Sequence, residues 1–74
     1  MADVTTSPVW DKIAGSWKEM RGQARIQWGK LTDDDLEQIQ GQRDVLAGRI
    51  QQRYGIEKEE ANHQIDAWAD KLKF

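Results

Sequence analysis

The chain has no cysteine among its 74 residues, so neither a disulfide nor a thiolate metal site can supplement its core. That matters because a domain of this size buries only roughly 60% of the surface its unfolded chain exposes. Lack of cysteine also fits a reducing compartment, and the expected localisation is cytoplasmic. Long apolar runs are missing too. They stop at three residues, as in Val45-Leu46-Ala47, far short of the ~20 that a membrane span needs. Met1 to Ser7 has no basic stretch followed by an apolar one, so no signal peptide is expected. Histidine occurs once, at His63, and there is no glycine-rich phosphate loop. A nucleophile, a base and an orienting group therefore cannot be assembled, and Ser7 and Ser16 have no plausible partner. The expectation is a protein that is not an enzyme and needs no cofactor.

What is present is charge and tryptophan. Charged residues make up 32% of the chain and mean hydropathy is -0.87, polar enough to suggest disorder, but four tryptophans in so short a chain argue against it. Net charge is -2, so nothing pulls the whole molecule toward nucleic acid or an anionic membrane. The charge is unevenly spread. Residues 8–30 carry five basic and two acidic side chains, whereas residues 32–40 carry four acidic and no basic ones.

The organising stretch is Trp28-Gly29-Lys30-Leu31-Thr32-Asp33-Asp34-Asp35-Leu36. It reads as a helix end, a turn and a helix start. Gly29 is suited to a left-handed cap because it has no Cβ. Thr32 and Asp35 have the spacing of a capping box, and Leu31 and Leu36 that of a hydrophobic staple. Three aspartates suit the positive end of the helix dipole. They cannot converge on one metal ion, since consecutive helical residues point about 100° apart.

Before this stretch, Ser7-Pro8 marks a helix start, with residues 1–7 expected to fray and residues 8–74 to form one domain. Val9, Ile13, Trp17, Met20, Ala24 and Trp28 then fall in one apolar stripe, with Trp10 at its edge and expected to be partly exposed. After it, Asp33 to Ile39 is a short helix, Gly41 a break or kink, and residues 42–54 a helix buried through Leu46, Ala47, Ile50 and Tyr54. Tyr54-Gly55 closes that helix, and Ala61, Ile65, Trp68, Ala69 and Leu72 bury the last one. Lys71 and Lys73 suit its negative end. A weak echo at an offset of 26 aligns Gly15 to Gly29 with Gly41 to Gly55. The expected fold is all-α: a small bundle of three to four helices arranged as two helical hairpins.

Two features compete for a functional reading. Gly15, Gly22 and Gly48 lie opposite the apolar stripes, where each mid-helix glycine costs about 1 kcal/mol relative to alanine. They are a candidate face for close approach of another backbone, helix or ligand, and breaks or tight internal packing is the plainer account. Lys18, Arg21 and Arg25 form a basic strip on the first long helix, joined later by Arg43, Arg49 and Arg53. Phosphate contact is the functional reading. Against it stand the acidic helix starts and a pI of about 5.3, and a solvated, ion-paired face is favoured. His63 is expected to face solvent. The tryptophans are read as core rather than as base-stacking platforms.

Three strings carry a resemblance. They are Gly15-x-Trp17-Lys18-x3-Gly22, then Trp28-Gly29-Lys30-Leu31-Thr32-Asp33-Asp34-Asp35, then Gly41-x-Arg43-x2-Leu46-x-Gly48-x2-Gln51-x2-Tyr54-Gly55. Over roughly residues 13–61 the chain resembles the CsbD-like family of small bacterial proteins. Gln40, where that family often has Glu, and Glu57, where a polar cap such as Ser is common, depart from its pattern. The resemblance implies a small helical bundle, a cytoplasmic location and a part in the general stress response. It carries no catalytic or ligand-binding residues to transfer. The expected function is a non-enzymatic stress-response protein acting by binding or abundance, a monomer with an unknown protein partner. The alternative is a nucleic-acid-associated accessory protein using the basic strip.

Overall fold

The stripe from Val9 to Trp28 folds as two helices rather than one. The computed structural model describes residues 8–72, which form α1 (Pro8–Gly15), α2 (Trp17–Gln27), α3 (Asp33–Ile39), α4 (Arg43–Tyr54) and α5 (Lys58–Leu72). No strand occurs among the described residues. The expectations for the frayed segment 1–7, including the Ser7 cap, and for Lys73 lie outside them. The count exceeds the expected three to four because the chain bends at Ser16 as well as at Gly41. The Ser16 amide donates to both the Lys12 and Ile13 carbonyls, while the Ser16 carbonyl accepts from Glu19 and Met20. Hydrogen bonding thus runs through the joint although the helix axis does not.

The turn after α2 differs in detail from the expectation. Trp28 itself leaves the helix, at φ -122° and ψ 82°, with its amide still donating to the Ala24 carbonyl. The Leu31 amide then closes the turn on the Trp28 carbonyl at 3.0 Å. Gly29 is not left-handed, because that bond reverses the chain without it. Gly55, its counterpart in the sequence echo, does cap α4 at φ 65°. The echo therefore does not extend to turn geometry.

Between α3 and α4 two consecutive residues are left-handed, Gln40 at φ 50° and Gly41 at φ 78°. Gly41 is required there for space as well: a Cβ on it would stand 3.0 Å from the Ala14 Cα. The break favoured at Gly41 is real, and α1 crosses directly over it.

Consecutive helices pack on one another, and α5 returns to α1, so the contacts run round the bundle. Inside lie Ile13, Ala24, Leu31, Leu36, Ile39, Leu46, Ala47, Ile50, Ala61 and Ile65, together with all four tryptophans. Trp10 is only 5% exposed, contrary to the expected edge position, because the bend at Ser16 turns α1 inward. Indole rings form a chain: Trp17 to Trp10 at 6.5 Å, Trp10 to Trp68 at 6.3 Å and Trp68 to Trp28 at 5.1 Å between centroids. Three of the indole N–H groups donate across elements, as buried indole N–H groups usually do. Trp10 donates to the Gly41 carbonyl, Trp17 to the Leu36 carbonyl at 2.8 Å and Trp28 to Gln64 Oε1. Leu36 is among the last four residues of α3, whose carbonyls lack intrahelical partners.

Candidate functional site

Residues spaced three and four apart share a helix face, which places Lys18, Arg21 and Arg25 together along α2. In the structure they form one wall of an open groove between α2 and α3, with a volume of about 580 Å³. Asp33 and Glu37 form the opposite wall, and Gly22 and Leu36 also line the groove. The strip expected from sequence is therefore brought together, but it faces carboxylates. Arg25 and Asp33 form an ion pair across one end, both partly or largely exposed. Neither Lys18 nor Arg21 makes an ion pair among the described residues.

The later arginines do not extend this strip. Arg49 and Arg53, one helical turn apart on α4, both reach Asp35 at the start of α3. Arg53 grips the carboxylate in a fork, Nε to Oδ2 at 2.8 Å and Nη2 to Oδ1 at 3.1 Å. Arg49 Nη1 lies 3.4 Å from Oδ1 and its other nitrogen donates to Gln38. Asp35 also completes the expected capping box: its Oδ2 accepts from the Thr32 amide at 3.0 Å and its own amide donates to Thr32 Oγ1 at 3.1 Å. Asp35 is the one buried charged residue among those described, 3% exposed. The Arg53 hydrogen bond lowers its pKa to about 2; burial opposes this, and the Thr32 bonds reinforce it. Arg43, on the other end of α4, pairs with Asp66 at 2.6 Å, donates to the Asn62 carbonyl and lies over the Trp10 ring.

This arginine–aspartate cluster is the feature that sequence reasoning missed. The signal was available in the four-residue spacing of Arg49 and Arg53 and the three consecutive aspartates. What was not available was the fold-back that sets α4 beside α3. The three aspartates diverge as helical geometry requires: Asp33 to Arg25, Asp35 to Arg49 and Arg53, Asp34 to solvent.

The candidate glycines separate. Gly22 lines the groove, while Gly15 and Gly48 do not. At all three a Cβ would meet nothing within 4 Å, so none is needed for packing within the chain. His63 is exposed, beside a shallower hollow with Val9, Arg43, Asp66 and Asp70. Among the described residues no three histidine or carboxylate side chains are grouped to hold a metal ion. No helix there is long and apolar enough to cross a membrane. The arrangement presents an open groove with one cationic and one acidic wall, suited to recognising a partner that carries both charges.

Comparison with known proteins finds relatives along most of the chain. A family model described as CsbD-like matches residues 11–63. The UPF0337 protein ECA0631 of Pectobacterium atrosepticum is 55% identical over 64 residues, covering 86% of this chain and 93% of that protein. The UPF0337 protein YjbJ of Escherichia coli K12 is 44% identical over 64 residues, covering 86% and 93%. The UPF0337 protein RPA4217 of Rhodopseudomonas palustris is 45% identical over 64 residues, covering 86% and 97%. Their names state no activity.

Proposed function

The chain belongs to the CsbD-like family, and from that premise we propose that it is a non-enzymatic, cytoplasmic stress-response protein acting by binding or by abundance. One observation carries the non-enzymatic part of the reading. Asp35, the one buried charged residue among those described, is engaged with Arg49 and Arg53 across helices and is not free for acid–base chemistry. These three side chains hold α3 to α4 and line neither of the grooves described above, and function has to be argued from a site, not from a fold. The stress-response part rests on the family.

The test is a deletion strain challenged by starvation, osmotic and oxidative stress, then complemented with the wild type or with Lys18→Glu/Arg21→Glu. Abundance alone predicts rescue by both proteins at equal expression. Binding through the groove predicts rescue by the wild type only. Survival identical to the parent strain under all three stresses would overturn the reading.

A second reading, association with nucleic acid, is favoured only by the two unpaired cations Lys18 and Arg21. The facing Asp33 and Glu37 oppose it by repelling phosphate. Contacts to phosphate weaken steeply with salt. An NMR titration with short single- and double-stranded DNA decides it: shifts on α2 that persist at physiological salt would promote it, and their absence removes it.

A further inference from the structure

The bend at Ser16 sets local structure against tertiary packing. The stripe Val9, Ile13, Trp17, Met20, Ala24 and Trp28 keeps helical spacing straight through it, so the sequence suits one continuous helix from Pro8 to Gln27. Hydrogen bonding is already arranged for one. The Ser16 amide donates to the Lys12 carbonyl at 3.1 Å and the Met20 amide to the Ser16 carbonyl at 2.9 Å, each a bond of the α-helical pattern. The Ser16 dihedrals depart from it, at φ -111° and ψ 28°, where a helix has about -63° and -42°. The Glu19 amide donates to Ser16 at 2.8 Å, whereas in a straight helix its acceptor is Gly15. The Ser16 side chain makes no capping bond in return. What holds the bend is contact made by α1. The Trp10 indole donates to the Gly41 carbonyl, its ring meets Trp17 and Trp68, and Ile13 is fully buried. Open hollows flank α1, one beside Asp11, Ala14 and Asp44 and the other beside Val9 and Asp70, which leaves room around it among the described residues.

We propose that α1 is a hinged strap. Ser16 switches between the bent form described above and a straight form in which α1 and α2 make one helix. In that motion α1 stays helical while it swings off Gly41. A local preference opposed by a tertiary one makes such an element two-state rather than merely flexible. The bent form is the major one, because straightening takes Trp10 and Ile13 out of the core. The straight form regains regular helical bonding at the joint. It also bares Trp10 together with the faces of Trp17 and Trp68 that Trp10 covers. In the bent form Ile26 is the large hydrophobic side chain exposed among the described residues. The hinge thus lets the fold withhold or present an aromatic surface without dismantling α2 to α5. The proposal stands independently of the stress-response reading.

Two hydrogen bonds distinguish swinging from unravelling. Opening breaks the bond from the Trp10 indole to Gly41, whereas the bond from the Ser16 amide to Lys12 is common to both forms. Native-state hydrogen exchange of the full chain, followed by NMR and corrected for intrinsic rates, reads both. The amide of Ile50, fully buried on α4, marks global unfolding. The Trp10 indole is expected to open about tenfold or more often than Ile50, with the Ser16 amide markedly better protected than that indole. Ser16→Ala favours a helical joint and Ser16→Gly opposes it. Indole opening, each variant referred to its own Ile50, should be roughly two- to fivefold more frequent with alanine. If either variant fails to fold, the wild-type comparison carries the test alone. A Trp10 indole that opens only as often as Ile50 overturns the proposal. So does a Ser16 amide that exchanges along with the indole, since α1 then unravels, or a glycine variant that opens as often as the alanine one.

Discussion

Arg53 on α4 grips Asp35 at the first turn of α3 with two nitrogens on two oxygens, at 2.8 and 3.1 Å. The same carboxylate caps its own helix through Thr32. One side chain thus starts α3 and fastens it to α4. Bidentate arginine–carboxylate pairs are among the stronger charged contacts, and this one is shielded on the aspartate side.

Replacing Asp35 should accordingly cost more than replacing any other acidic residue of that turn. Asp35→Ala keeps the Thr32 cap on its own amide but loses the reciprocal bond from the Thr32 amide and the charge-assisted hydrogen bonds to Arg53, worth roughly 1.5–3 kcal/mol. Asp33→Ala, which loses only an exposed pair, should change stability by less than about 1 kcal/mol. Urea denaturation of the two variants makes the comparison.

Acid should act through the same group. The Asp35 pKa falls from 3.8 to about 2 on folding, so the unfolded chain takes up the proton first as pH drops. The stability this supplies is fully present above the unfolded value and is lost as pH falls from about 4 through about 2. Thermal melts of the wild type and Asp35→Asn between pH 2 and 7 should show the variant with the shallower acid dependence in that window.

Glycines should divide by surroundings. Gly41→Ala forces a Cβ against the Ala14 backbone from a left-handed conformation, and should destabilise by about 2 kcal/mol or more. Gly48→Ala and Gly22→Ala meet open space on helices and should each stabilise by roughly 0.4–1 kcal/mol. Loss of stability at Gly22 or Gly48 would contradict the open surroundings described for them.

Gln40 gives a fourth case. It holds a left-handed conformation without being glycine, at a cost of roughly 1–2 kcal/mol. Gln40→Gly should relieve most of that and stabilise by about 0.5–1 kcal/mol after its own loss of chain entropy, measured by the same urea titration.

Much of the bundle is legible in the sequence because its signals are local. The Thr32–Asp35 box, the left-handed Gly55 and the break at Gly41 each depend on residues within a few positions. Burial of Leu36, Ile50 and Trp68 follows from spacing alone. The failures involve distance along the chain. Trp10 looks marginal on a single straight helix, and only the bend at Ser16, which no residue type demands, carries it into the core. Arg49 and Arg53 look like solvated cations until α4 folds back on α3. The Lys18–Arg21–Arg25 strip was legible as a strip; its acidic opposite wall was not, since that depends on how α2 and α3 cross.

The tryptophan chain gives the protein a built-in optical reporter. All four indoles are sequestered from water, and neighbouring rings are 5.1 to 6.5 Å apart. Absorbed ultraviolet energy can pass from ring to ring, so emission reports on the array as a whole. No tryptophan at the surface contributes a constant background. Detachment of α1 or α5 separates rings that now touch and exposes them together. Emission colour and near-ultraviolet circular dichroism should therefore change in concert, giving a label-free readout for each variant named above.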